Sequence, residues 1–254
     1  MRRAEVAFTY EGIYRNRVIG NFVPKAPMKL DPLPESFYLP TADKVASKLL
    51  GHFLIRNTPE GICGGPIVEA EAYLTDDPAC HGFGRQTPRN KPMYGPPGRA
   101  YVYFIYGNHW CFNTVCCPPG VAEAVLVRAI EPLFGTDLMR KARSVQKEIQ
   151  LTNGPAKFCE ALRITGKLNG VELWQTDSAV YVARNPELKE FLNARGPVMT
   201  TTRVGITKAA ELPLRFYLRE SPYVSRWMSG GNGRPSRKKP PANESIARQR
   251  RQKN

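Results

Sequence analysis

Histidine is scarce in these 254 residues, with only His52, His81 and His109, and no C-x-x-C pair occurs among six cysteines. No pair of these residues has the ligand spacing that tetrahedral zinc sites use, so zinc is not expected. Long apolar runs are missing too. Each is broken within about ten residues, and the arginines after Met1 lead to Glu5 rather than to an apolar stretch, so neither a membrane span nor a secretory leader is expected. The cysteines (Cys63, Cys80, Cys111, Cys116, Cys117, Cys159) have no regular spacing in a chain too long to need a disulfide framework, which points to reduced thiols and a cytoplasmic protein. No repeat of solenoid length is present. Acidic residues are short relative to basic ones, 22 against 37, leaving a net charge of +15 that favours polyanions such as nucleic acid or anionic lipid.

What is present has a globular composition, 42% hydrophobic and 23% charged, and a length that suits one large domain with dissimilar ends. Residues 1–36 begin with β-like alternation and then become proline-punctuated, an arm without an assigned role. Residues 229–254 carry eight basic side chains against Glu244, about half the excess charge, and too few apolar groups to offset ordering entropy. A disordered basic tail is expected there.

Between the ends the patterns are mixed. Thr41 precedes an apolar i/i+4 stripe (Val45, Ala46, Leu49, Leu50) closed by Gly51, a short helix with Thr41 as its N-cap. After Gly64–Gly65, alternation in IVEAEAYL puts Val68, Ala70, Ala72 and Leu74 on one strand face and Ile67, Glu69, Glu71 and Tyr73 on the other. One face buries; the other can carry chemistry. The segment 78–98 is too irregular for an element and too long for an idle connection, so it reads as a functional loop. YVYFIYGNHWCFNTVC reads as a hairpin turning at Gly107–Asn108, with Tyr106 beside the tip. A strand AVLVRAI, a helix from Thr136 to Lys147 and a second helix entered through Pro155 follow. Strand and turn patterns resume over 171–228, in one mixed domain.

Taken singly, two carboxylates on a strand or a tyrosine in a hairpin are ordinary solvated or core residues. Together, VEAEAY, HGFGRQTPRN, MYGPPGRAYVYFIYGNHWCFN, VLVRAIEPLFG, LTNGPAKFCEAL and TTRVGI, in that order across residues 37–228, resemble the alkyladenine (3-methyladenine) DNA glycosylase family. The resemblance implies an α+β fold, a single mixed domain around a curved antiparallel β-sheet with flanking helices. It also implies a monofunctional glycosylase of base excision repair. Such an enzyme flips a damaged purine of the 3-methyladenine, ethenoadenine or hypoxanthine class out of duplex DNA and hydrolyses its glycosidic bond.

By the same resemblance Glu71 is the general base that activates water, and Arg128 helps hold it. Tyr73 and His81 stack on one face of the base and Tyr103 on the other, while Asn113 crowds the amine of normal guanine. Tyr106 intercalates into the gap left in the duplex. Arg128 also stands out unaided, because an unpaired guanidinium in an apolar strand would be expensive. Glu69 shares the Glu71 face but is assigned no catalytic duty. No lysine matches a Schiff-base position, and no metal or organic cofactor is implied. The implied partner is damaged double-stranded DNA, met by a monomer in the cytoplasm, at the nucleoid in a prokaryote or in the nucleus of a eukaryote. The alternative from composition alone is an RNA- or DNA-binding module in which Glu71 is incidental.

Overall fold

A computed structural model describes residues 29–225 of the chain. The basic tail and residues 1–28 of the arm lie outside the described residues. Among the described residues four α-helices, α1 (Ala42–Leu49), α2 (Thr136–Ala142), α3 (Pro155–Ala161) and α4 (Leu188–Arg195), surround eight strands. These are β1 (Phe53–Thr58), β2 (Gly61–Tyr73), β3 (Ala100–Ile105), β4 (His109–Cys116), β5 (Glu123–Ile130), β6 (Val180–Ala183), β7 (Val198–Thr201) and β8 (Arg215–Leu218). Every pairing is antiparallel, in the order β3-β4-β5-β2-β1-β6, with β8 bridging β2 and β7. The fold is thus the expected α+β domain on a curved antiparallel sheet.

The curl follows from β2, whose thirteen residues change neighbours midway. Residues 61–66 pair with β1, whereas residues 69–71 on the same edge pair with β8. The changeover falls at Ile67–Val68, just after Gly64–Gly65–Pro66, where the chain is pressed between strands. A Cβ on Gly65 would run into the carbonyl oxygen of Glu131, so only glycine lets β2 pass there. Two compensating bulges follow. Val68 is extra on β2, and Arg128 is extra on β5 opposite the Glu69–Ala70 step.

The sequence pattern gave β2 one buried and one chemical face; in the structure both faces are buried from Ile62 to Ala72. Its Val68, Ala70 and Ala72 side packs with Val45, Ala46 and Leu49 of α1 in the main core. The Thr41 side chain makes no capping hydrogen bond. The buried Glu123 carboxylate instead accepts the Ala42 N–H at 2.8 Å, a longer-range substitute for the expected cap. Residues 29–36, grouped with the arm in sequence, add to the sheet edge: Leu33 is buried and its N–H donates to the Val182 carbonyl at 2.8 Å.

Three local expectations are corrected. The hairpin loop has three residues rather than two, Tyr106, Gly107 and Asn108, because Ile105 pairs with His109 and Tyr106 joins Gly107 at positive φ (54° and 72°). Helix α2 stops at Ala142 rather than Lys147, since Arg143 turns to extended backbone and its guanidinium meets Glu160 on α3. Helix α4 falls where strands and turns were expected. It is fixed by buried Phe191 and by Arg195, which grips Glu131 through two nitrogens at 2.7 and 2.9 Å.

His52, 5% exposed, accepts the Asn185 N–H at Nδ1, a bond only the neutral ring can make. Burial, reinforced by the Arg184 charge, pushes its pKa down to about 4. The unfolded chain therefore takes up the proton first as pH falls from about 6.5. Stability of order 3 kcal/mol should be lost between that pH and about 4. Urea unfolding at pH 7.5, 5.5 and 4.5 checks this, and a His52→Asn variant, weaker at pH 7.5, should show a flatter decline.

Candidate active site

Side chains directly opposite one another on paired strands share a face. One such row crosses five strands: Tyr101, Asn113, Leu126, Glu71 and Arg215. A second row beside it pairs Tyr103 with Cys111, and Tyr73 stands opposite Ala124. The sheet curvature and the segment 74–98 enclose this face. Cys80 and Met93 of that segment pack with Tyr101, Val115 and Ala124, and Tyr73 and Tyr103 lie against the same cluster.

Glu71 has no exposed surface. Its Oε1 accepts the Val204 backbone N–H at 2.7 Å, and its Oε2 accepts the Tyr73 hydroxyl at 3.0 Å and lies 3.2 Å from Arg128 Nη1. Burial, then the Glu71 charge, raises the Tyr73 pKa far enough to keep that hydroxyl a donor. Burial opposes the charge on Arg128, but Glu71 and Glu69 outweigh it and the guanidinium is held more firmly protonated.

Arg203, from the TTRVGI stretch, ties down the segment beside this group. It pairs with both oxygens of buried Asp77, donates to the Ala72 carbonyl at 3.0 Å, and sets its guanidinium carbon 4.6 Å from the Tyr73 ring centroid. Val204, the next residue, is thereby placed to donate to Glu71. Asn90 knots the far part of the loop, donating to the carbonyls of His81 at 2.7 Å and Arg85 at 3.0 Å.

His81 and Tyr103 are brought together but not apart: their ring centroids are 4.5 Å from each other at 62°. A flat ring between them needs about 7 Å, twice an aromatic contact distance. His81 Nδ1 is 3.0 Å from the Tyr101 hydroxyl, and burial, then the Arg89 charge, lowers its pKa and favours the neutral ring. Asn113 is buried and its amide donates to the Tyr101 carbonyl at 3.0 Å, which fixes the orientation of the side chain. Tyr106 stands apart at the hairpin tip, 82% exposed.

Several partners of these groups lie outside the residues that stand out in the sequence. Glu69 is buried beside Arg128 and Arg215, and Arg203, Val204 and Ser225 supply further donors. Arg215 carried the signal that drew attention to Arg128, an isolated guanidinium in an apolar strand. Among the described residues no group of three or more histidine, cysteine, aspartate or glutamate side chains is arranged to hold a metal, and no helix is long and apolar enough to cross a membrane.

The curled sheet thus carries a buried carboxylate–arginine pair beside clustered aromatic rings, with an exposed tyrosine on a hairpin. Comparison with known proteins gives the class of the chain. The family model for methylpurine-DNA glycosylase (MPG) matches residues 36–222. A Methanoculleus marisnigri protein is 48% identical over 194 residues, covering 76% of this chain and 98% of its own length. A Francisella tularensis subsp. tularensis protein is 45% identical over 181 residues (71% and 92%), and one from Rhodopseudomonas palustris is 47% identical over 203 (79% and 94%). All three are provisionally named 3-methyladenine DNA glycosylase. The chain belongs to the methylpurine-DNA glycosylase family: it is a DNA glycosylase, a hydrolase of DNA repair.

Proposed function

We propose that this enzyme everts alkylated or deaminated purines from duplex DNA and hydrolyses the bond between base and C1′ with a water that Glu71 deprotonates. The observation that carries the reading is the Glu71 carboxylate, fixed by Arg128, Val204 N–H and Tyr73 at the base of an aromatic-lined face. As the C1′–N bond breaks, the sugar gains oxocarbenium character. The carboxylate lies where its charge steadies that cation, and it takes the proton as water oxygen bonds C1′. The bonding electrons leave with the base, and a cationic alkylated purine accepts them readily.

Entry of the base separates His81 from Tyr103 by roughly 2–3 Å, the difference between their contact and a stacked sandwich. Both rings then stack on it, and Asn113 meets the edge where guanine carries its amine. All of these groups come from one chain, so a monomer suffices. The relatives' names point to 3-methyladenine as one substrate.

Incubation of the protein with duplexes carrying single 3-methyladenine, ethenoadenine or hypoxanthine residues tests the reading. Free base and an intact abasic strand are expected from at least one lesion. Tight RNA binding with no base released from any would favour a binding module instead.

Tyr106 sits at φ 54°, a conformation that costs a bulky residue about 1–2 kcal/mol and persists here at an exposed tip. That placement suits a wedge filling the space an everted base leaves. Tyr106→Gly should therefore keep or slightly raise the melting temperature while slowing release from duplex DNA about tenfold or more, through loss of about 1–3 kcal/mol of stacking. Equal release by the variant would remove Tyr106 from this role.

A further inference from the structure

Glu69 is a fully buried carboxylate whose bonds are hard to explain as support for the sheet alone. Its Oε1 accepts from Arg128 Nε at 2.9 Å, Arg215 Nε at 2.8 Å and the Ser225 hydroxyl at 2.9 Å, and its Oε2 accepts the Ser225 N–H at 2.6 Å. Arg128 also donates from Nη2 to the Ser225 hydroxyl oxygen at 3.1 Å. Two of its three nitrogens are thus engaged on the side away from Glu71.

A guanidinium is a rigid planar fork. With Nε and Nη2 committed behind, only Nη1 reaches Glu71, at one oxygen. Freed from those bonds, Arg128 would turn to the arrangement that such pairs prefer, two parallel bonds to both oxygens of the nearest carboxylate. That pairing would cover the lone pairs Glu71 needs for water. The bulge makes the fork possible, because Arg128 is the extra residue opposite the Glu69–Ala70 step.

Residues 221–225 form a strap whose contacts with Glu69 come from Ser225, beyond the 36–222 stretch matched by the family. The strap is fastened at its other end as well, where the Ser221 hydroxyl donates to buried Glu131 at 2.7 Å. We infer that Glu69 and Ser225 are positioning residues that hold Arg128 to a single ion-pair contact with Glu71, through Nη1 at 3.2 Å, so that the strap 221–225 sets the rate of base release. This rests on the reading of Glu71 as the general base.

The test uses the full chain under single-turnover conditions, on a lesion duplex from which the wild type releases base, with affinity for that duplex measured in parallel. Ser225→Ala should slow release about tenfold with affinity within about twofold of wild type, because the group displaced acts on the bond-breaking step. Ser225→Thr, which keeps the hydroxyl, should regain most of the rate. Glu69→Gln should be at least as slow as Ser225→Ala; its deep burial threatens folding, so the Ser225 pair carries the test. A wild-type rate in Ser225→Ala, or a Ser225→Thr variant as slow as Ser225→Ala, overturns the inference. Glu71→Gln, run alongside, separates the two levels. If it releases base at the wild-type rate, the reading of Glu71 falls. If it is inactive while Ser225→Ala is unaffected, only the strap's role falls.

Discussion

Glu71→Gln should bind lesion duplex with near wild-type affinity and release the base about 10²–10⁴-fold more slowly, the usual contribution of a placed acid–base group. The amide matches the carboxylate in shape, so the aromatic face above it stays in place. It cannot accept a proton from water, and it carries no charge to oppose the cationic sugar. One of its two positions becomes an N–H₂ group. If the oxygen stays on the Val204 N–H, that amine faces Arg128 Nη1, donor against donor, and the melting temperature should fall modestly. Single-turnover release and a binding titration on the same preparation separate the two effects.

Arg128→Met is the second large effect, on stability and rate together. Arg128 stands between two carboxylates without exposed surface, and methionine fills its space without a charge. Glu69 keeps Arg215, but Glu71 retains only the Val204 N–H and the Tyr73 hydroxyl. Removing one partner from a buried ion pair typically costs about 3–5 kcal/mol. For a chain of this size that corresponds to a fall in melting temperature of roughly 6–20 °C. Release should slow in step with Glu71→Gln, since Glu71 is no longer oriented. Arg140, half-exposed in its pairs with Asp137 and Glu148, offers the contrast: Arg140→Met should barely move the melting point.

The sequence made β2, the hairpin and α1 legible because alternation, glycine and the helical stripe are local signals. Glu71 and Arg128 stood out by position, one in a motif and one as a lone charge among apolar residues. What stayed hidden was long-range. The partners of Glu69 lie 146 and 156 residues away in Arg215 and Ser225, and Val204 reaches Glu71 across 133. No period-2 pattern reveals a bulge, so nothing in IVEAEAYL or AVLVRAI signalled that Arg128 would face two carboxylates. Helix α2 was read too long because Arg143 leaves the helix for Glu160, a tertiary contact that propensity cannot weigh. The loop was read one residue too short because tyrosine seldom takes positive φ, and Tyr106 does.

On this reading of the site, a damaged purine leaves the duplex and lies over Glu71 between rings that touch in its absence. A crystal structure of Glu71→Gln bound to a lesion-bearing duplex addresses it directly. The everted base is expected between His81 and Tyr103, their centroids about 7 Å apart instead of 4.5 Å, with Tyr106 in the vacated stack and a water between C1′ and residue 71. A damaged base still paired in the helix, with the His81–Tyr103 contact unbroken, would contradict it.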